Sequence, residues 1–465
     1  MKIHNIRVGF ATNSSSTHSM AFMPNESDRL VESEAFGWED FVAASSEAKA
    51  KWLAYHLMAT ASHTCGGAVA SVLAQHWLGF EPHPEGYLDH QSRIRIPNDW
   101  NGKGIDAGFF KELRDFVLQP GLVVLGGNDN EDCSEGDINY RSALCPIVGS
   151  NVSNDIVARK DSRGYWTVFD RTDGAKFRVS FGNQDIAPVT DDQKSDAPEL
   201  IDVKITDHCP FECSFCYQGS TKKGQHAQSG WIYNIQAACA RLKVFEVALG
   251  GGEPTLHPDF VGILQGFRRY GVVPNFTTRN MAWLRDPEKC REIMAHAGSW
   301  AFSTENPEDI GKLHALLVSQ GYDRKHFPSV QYIIGVGNPY AFESVVKACQ
   351  NAGFKLTLLG AKDTGRGKEK SWERFDWIKV MKEATENSGF AFGIDTALVQ
   401  QYRAEIKKAR IPEWCYHTHE GKFSMYIDAV EGKISPSSYC QPEDFVTVDS
   451  PYGLEDAIVK HYSTW

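Results

Sequence analysis

The run Ile201-Asp202-Val203-Lys204-Ile205-Thr206-Asp207-His208-Cys209-Pro210-Phe211-Glu212-Cys213-Ser214-Phe215-Cys216 decides how this chain is read. Residues 201–206 are strand-like, and a C-x3-C-x2-C run follows at once. Three thiolates at this spacing suit one face of a cubane, and a [4Fe–4S] cluster normally takes four, so one iron stays open for a substrate or cofactor. Zinc suits the run less well, since it wants four tetrahedral ligands and only His208 or His226 offers a nearby fourth. Of the chain's 11 cysteines, Cys65, Cys133, Cys145, Cys239, Cys290 and Cys349 are scattered singly, which is not a secreted disulfide framework.

Outward from this run the pattern is alternating. Strand-like stretches at 201–206, 245–249, 273–278, 300–303, 329–335 and 354–359 are separated by amphipathic helices. Asp286-Pro287, Asn306-Pro307 and Asn338-Pro339 each set an N-cap residue before a proline at the first helical position. Trp231, Ile235, Cys239 and Leu242 share one helix face. Six β/α units of this length imply a parallel sheet, open or curled toward a barrel. Upstream, the polar stretch 190–198 reads as a linker. Before it, helices within 47–78 broken at Cys65-Gly66-Gly67, a helix at 105–118, a strand at 122–125 and a hairpin about Thr172-Asp173-Gly174 give an α+β module. Ser14-Ser15-Ser16 reads as a turn, and nothing fixes His83, Asp89, His90 and Asp129 at metal-binding distance.

Composition narrows the function classes. The 465 residues are 42% hydrophobic with 26 Phe, 16 Tyr and 12 Trp, which excludes bulk disorder. The charge balance, 48 − 59 = −11, disfavours a broad grip on nucleic-acid backbone. No 18-residue apolar run and no signal-peptide core are present, so a cytoplasmic protein without membrane attachment is expected.

One β/α unit after the cysteines comes Gly250-Gly251-Gly252-Glu253-Pro254, in which glycines would let a ligand approach the backbone and Glu253 would add an acceptor. In this order, the two motifs resemble those of the radical S-adenosylmethionine (SAM) superfamily, whose signature is C-x3-C-x-φ-C with an aromatic at φ, here Phe215, followed by GGEP, here residues 251–254. The resemblance covers about residues 200–390. It implies an α/β fold, a partial (β/α)6 barrel over 199–390; the flanking stretches read as an N-terminal α+β accessory domain over 1–189, for which no family resemblance is seen, and a short C-terminal hairpin extension over 391–465. It implies a [4Fe–4S] cluster on Cys209, Cys213 and Cys216, and SAM held at the open iron. Gly251, Gly252, Glu253 and Pro254 would bind its amino group and Phe215 would lie by the adenine. Thr278 (with Thr277), Ser303 and Glu305 would contact its ribose or carboxylate. The implied activity is one-electron cleavage of SAM to a 5′-deoxyadenosyl radical that abstracts hydrogen from substrate, with a reductant such as flavodoxin or ferredoxin.

Lys362 and Arg366, beyond the sixth strand, are candidate catalytic residues read as binding an anion, either the SAM carboxylate or an acidic or phosphorylated substrate. Lys222, Lys223 and His226 follow the cysteine loop and could face substrate. A small metabolite or nucleotide fits the acidic chain with its lone cluster motif. The hairpin after Trp414 resembles the extensions of peptide-modifying relatives, yet only Cys415 and Cys440 lie beyond residue 349. A hairpin without a second cluster is therefore expected, with a zinc site from Cys415, His417 or His419, and Cys440 as the exception. The rival from another class is a non-catalytic Fe–S or zinc interaction protein, for which the GGEP turn has no use.

Overall fold

The computed structural model describes residues 194–465 apart from 337–338, 369–371, 389, 391 and 411–419, and, before them, residues 2–7, 18–22, 35–36, 41–61, 67–80, 87–88, 107–118, 122–126, 156–171, 174 and 176–180. The chain divides into two compact units, Met1–Val189 and Thr190–Trp465.

The first unit is α+β. Helices Ser46–Ala61 and Gly67–Leu78 lie either side of the Cys65-Gly66-Gly67 break, and a third runs over Ala107–Val117. Trp52, Leu53, Phe110, Leu113 and Val124 are fully buried among them. Strand Trp166–Asp170 pairs antiparallel with Lys176–Ser180, and Gly174, at φ +74°, donates its N–H to Asp170 O at 2.9 Å to turn the hairpin. Ser14–Ser16, His83, Asp89, His90 and Asp129 lie outside the described residues.

The second unit is built on one sheet. Its strands are β1 (Leu200–Thr206), β2 (Glu246–Gly251), β3 (Val273–Thr278), β4 (Trp300–Ser303), β5 (Ser329–Ile333), β6 (Lys355–Leu359), β7 (Phe392–Ile394), β8 (Ser424–Asp428), β9 (Lys433–Ser435) and β10 (Val446–Thr447). Their order is β7-β6-β5-β4-β3-β2-β1-β8-β9-β10, parallel from β7 through β8 and antiparallel beyond. Capping follows the sequence signal: Asp286 accepts from Glu288 N and Lys289 N, and Asn306 from Glu308 N, all at 3.1 Å, ahead of helices Pro287–His296 and Pro307–Ser319. Asn338 lies outside the described residues, before helix Pro339–Ala352.

The strands alternate in chemistry. Ile201, Val203, Val247, Phe276, Val330 and Leu356 are buried against the helices. The opposite face carries Asp202, Ala248, Asn275, Ser303, Gln331 and Thr357, small or polar and each partly exposed. Large branched side chains fill the interior of a closed barrel; here the inner face carries small and polar ones. No described helix is long and apolar enough to cross a membrane.

Two features differ from the sequence reading. A seventh parallel strand, β7, follows the six expected, because its three residues are too short to show a period. The C-terminal segment joins the same sheet: β8 lies parallel to β1 in register from Leu200↔Ser424 to Lys204↔Asp428, and β9 turns back on it at Gly432. Cys440 in this segment donates to Ser437 O at 3.1 Å, while Cys415, His417 and His419 lie outside the described residues.

The β1–β8 seam is fastened by a buried ion pair. Lys204 Nζ reaches Asp428 Oδ2 at 2.9 Å and Asp207 Oδ1 at 2.6 Å, with the Lys204 and Asp428 side chains 6% and 7% exposed. Burial alone would lower the lysine's pKa; Asp428 and Asp207 outweigh it and hold the ammonium charged. Asp428→Ala should cost about 2 kcal/mol of unfolding free energy in urea titration, because it leaves a buried ammonium with Asp207 as its one remaining counter-charge among the described residues. The double variant Lys204→Met/Asp428→Leu should recover much of that loss.

Candidate active site

The cysteine loop leaves β1 and is tied back on itself. Asp207 N donates to Gln225 O at 2.7 Å, Cys209 N to Thr221 O at 2.8 Å and Ala227 N to Ile205 O at 2.9 Å. Cys216 N donates to Cys213 O at 3.1 Å, and Glu212 adopts φ +46° so that the chain can curl between the cysteines. Cys209, Cys213 and Cys216 are all free thiols and partly exposed. The segment after β6 grips the loop from the other side. Arg366 donates from its backbone N to Cys216 O, from Nε to Cys213 O and from Nη1 to Gly219 O, each at 2.9 Å. This narrows the anion-binding reading of Arg366: its Nε and Nη1 are taken by carbonyls of the cysteine loop, and its buried Nη2 is left without a partner among the described residues.

The Gly-Gly-Glu-Pro turn packs directly under that loop. Gly252 N donates to Thr206 O at 2.6 Å and Glu253 N to His208 O at 2.8 Å. A Cβ on Gly251, which has φ +114°, would sit 2.3 Å from Thr206 O; one on Gly252 would sit 2.3 Å from His208 O. The glycines therefore admit the protein's own backbone, where the sequence suggested room for a ligand. Glu253 differs likewise from a spare acceptor. Its Oε1 accepts from Thr255 N at 3.2 Å, Thr255 Oγ1 at 2.6 Å and Thr278 Oγ1 at 2.7 Å, and its Oε2 from Arg279 N at 3.0 Å. Pro254 is buried at the start of the short 3-10 turn Pro254–Leu256.

Arg279, which the sequence reading passed over, joins the two motifs. Its Nη1 donates to Cys213 Sγ at 3.3 Å, its Nη2 pairs with Glu305, and its guanidinium lies 5.5 Å from the Phe215 ring centroid. Burial would lower its pKa, but Glu305 and Cys213 raise it further, so the group stays cationic. Glu305, expected to contact a ligand, is thus engaged by Arg279. Ser303 Oγ donates to Gln331 Oε1 at 3.1 Å, and Gln331 Nε2 reaches Thr277 Oγ1 at 3.5 Å. The signal for Arg279 was its place directly after Thr277-Thr278 at the end of β3, where functional side chains of β/α folds collect. Lys222 pairs with Glu212 at 3.3 Å on the surface, and His226 Nδ1 lies 2.8 Å from Thr206 Oγ1. Lys362 is partly exposed, its ammonium 4.4 Å from the Tyr217 ring centroid and 4.5 Å from that of Tyr439.

The donor set fits an iron–sulfur cluster better than a lone ion. No group of three or more His, Cys, Asp or Glu side chains among the described residues converges on a single metal position. Zinc needs its donors about 2.3 Å or less from one point, whereas thiolates on a cubane each bind a different iron and stand farther apart. Burial raises the Cys209 thiol pKa, and the N–H groups of Phe211 and Glu212 offset part of that rise. Cys239, Cys290 and Cys349 are buried helix cysteines with thiols pushed up by burial, Cys349 to about 12, and are suited to packing.

Residues 203–360 match the Radical SAM superfamily. The GTP 3′,8-cyclase of Klebsiella pneumoniae subsp. pneumoniae is 29% identical over 132 residues, covering 27% of this chain and 38% of the cyclase. That of Haemophilus influenzae is 32% identical over 83 residues, covering 16% and 25% respectively. The matched segment thus spans less than two fifths of either relative. Among solved structures, Streptococcus suis SuiB bound to S-adenosylmethionine superposes with a TM-score of 0.48 at 12% identity, covering 65% of this chain and 88% of SuiB.

The close approach of turn and loop predicts a contrast between neighbouring glycines. Gly252→Ala drives its Cβ into the His208 carbonyl and should lower the melting temperature and the iron taken up on reconstitution together. Gly250→Ala, whose Cβ would meet nothing within 4 Å, should leave both unchanged. Equal behaviour of the two variants would refute the packing account.

Proposed function

We propose that this chain, which carries a radical SAM domain over residues 203–360, cleaves SAM reductively and transfers the resulting reactivity to a small polar substrate in the barrel interior. The carrying observation is the coupling of two motifs into one body: Glu253 of the turn binds Arg279 N, and Arg279 donates to Cys213 Sγ. Cys209, Cys213 and Cys216 would hold three irons of a [4Fe–4S] cluster, leaving the fourth to the amino and carboxylate groups of SAM. Together the cluster and SAM supply one-electron cleavage and hydrogen-atom abstraction.

The protein's part is orientation and exclusion. Arg366 fixes the carbonyls of Cys213, Cys216 and Gly219, which supports the shape of the cysteine loop. Arg279 places a cation beside Cys213, and a donor to a cluster sulfur favours the more negative, reduced state. Phe215 offers the face of an aromatic ring to an adenine beside that cation. Thr277, Ser303 and Gln331 form a hydrogen-bonded row across β3, β4 and β5 on the inner face, suited to a ribose or a polar substrate. Small polar side chains lining the interior support a small-molecule substrate, the class to which the nucleotide named for the cyclases belongs. The electron would come from a flavodoxin- or ferredoxin-type partner.

The test is anaerobic reconstitution. Wild type should bind about four irons and release 5′-deoxyadenosine with dithionite and SAM, whereas Cys209→Ala, Cys213→Ala or Cys216→Ala should lose both. Cys239→Ser and Cys349→Ser should retain the iron. A wild-type protein with a verified cluster that releases no 5′-deoxyadenosine would favour the interaction-protein alternative.

A further inference from the structure

Arg279 follows directly on the last residue of β3 and is held at both ends. Its backbone N donates to Glu253 Oε2 at 3.0 Å, which ties the root of the side chain to the Gly-Gly-Glu turn. At the tip, Nη1 donates to Cys213 Sγ at 3.3 Å and Nη2 pairs with Glu305. The guanidinium also lies 5.5 Å from the ring centroid of Phe215, a residue of the C-x3-C-x2-C run itself. Among the described residues, no other side chain hydrogen-bonds a sulfur of Cys209, Cys213 or Cys216. The Arg279 and Glu305 side chains are 25% and 23% exposed, so protein surrounds most of the pair.

Glu305 is placed as firmly. It stands between Thr304, whose Oγ1 accepts from Asn306 N at 3.0 Å, and Asn306, which caps helix Pro307–Ser319. Cys213, Arg279 and Glu305 therefore form a chain of contacts drawn from the cysteine loop, the end of β3 and the segment after β4. A guanidinium stays protonated in proteins, so its charge is fixed. Net charge and hydrogen bonds to the sulfurs are levers that set the potential of an iron–sulfur cluster. An electron added to a cluster on these cysteines adds negative charge beside the guanidinium, which stabilises it. Glu305, one contact farther out, offsets part of that stabilisation. Partly buried charges act this way with little screening, whereas Lys222, 63% exposed and paired with Glu212 on the same loop, acts through water and salt.

We propose that Arg279 and Glu305 work as one charge pair that sets the reduction potential of the cluster on the cysteine triad, Arg279 raising it and Glu305 holding part of that rise back. The inference rests on the [4Fe–4S] reading of the site. It gives Glu305 a role exerted through Arg279 in place of direct contact with a ligand. The reductant supplies one electron to the cluster; at Arg279 and Glu305 no bond is made or broken and no proton moves.

The test is the midpoint potential of the full-length reconstituted protein, read by electron paramagnetic resonance during dithionite titration. SAM is left out, so that a lost SAM contact cannot enter the result. Arg279→Met should lower the midpoint, so that the ratio of reduced to oxidised cluster at a fixed potential falls about tenfold, or about 59 mV for one electron. Glu305→Gln should raise the midpoint. Arg279→Lys should fall between wild type and Arg279→Met, because an ammonium keeps the charge but lacks the fork that reaches two partners. Lys222→Met should move the midpoint far less than Arg279→Met. Should Arg279→Met fail to hold iron, Arg279→Lys and Glu305→Gln carry the test through their opposite signs. Equal midpoints for wild type and the Arg279 variants would overturn the proposal, as would shifts of one sign in Arg279 and Glu305 variants alike. Iron and sulfide content are measured first on each sample. A wild type that builds no cluster would refute the cluster reading and the tuning with it, whereas intact clusters with unmoved midpoints would refute the tuning alone.

Discussion

The contact on which the site depends is the seating of the Gly-Gly-Glu turn against the end of β1. Two backbone hydrogen bonds, Gly252 N to Thr206 O and Glu253 N to His208 O, bring the end of β2 against the root of the cysteine loop. They form only because neither Gly251 nor Gly252 carries a Cβ. From this seat Glu253 gathers Thr255, Thr278 and the Arg279 amide, so three consecutive strand ends are fixed relative to one another. A catalytic constellation tolerates errors of only about half an ångström. A carboxylate accepting several internal donors meets that demand better than flexible loops could.

Much of this was legible in the sequence because it rests on local signals. The cysteine spacing, the Asp-Pro and Asn-Pro helix starts and the apolar period of the strands are each set within a few residues. What escaped depends on contacts distant in sequence. Arg279 and Cys213 are 66 residues apart, and Arg366 and Cys213 are 153 apart. Nothing near Arg366 shows that two of its guanidinium nitrogens will meet carbonyls of the cysteine loop. The Gly-rich segment around it was legible as a loop but not as a clamp. Glu253 misled for a related reason: an acidic residue after glycines signals an acceptor, and only the fold shows that its acceptors are already filled.

The inner face explains why a sheet this wide does not close on an apolar core. In parallel sheets covered on both faces the strands read as near-continuous hydrophobic runs. Here β1 places Asp202 and Lys204 among its isoleucines and valine, while β3 has Asn275 and β6 has Thr357. Burying such groups without partners costs free energy, so they persist where they are paired, as Lys204 is with Asp428, or where solvent or a ligand can reach them. The helices covering the outer face supply the stability that lets the inner face be polar.

The C-terminal segment follows from the same argument. If the sheet ended at β1, that strand would present an unpaired edge beside the cysteine loop, and exposed edges invite unwanted pairing. β8 covers it in parallel register, and β9 and β10 extend the sheet outward, so the edge is moved away from the site. The loop after β9 carries Tyr439 to Lys362 and to Glu420, so residues that enter the sheet last pack against the segment after β6. A change in the hairpin need not disturb the cysteine loop, because the loop takes its own support from Arg366, Thr221 and the glycine turn.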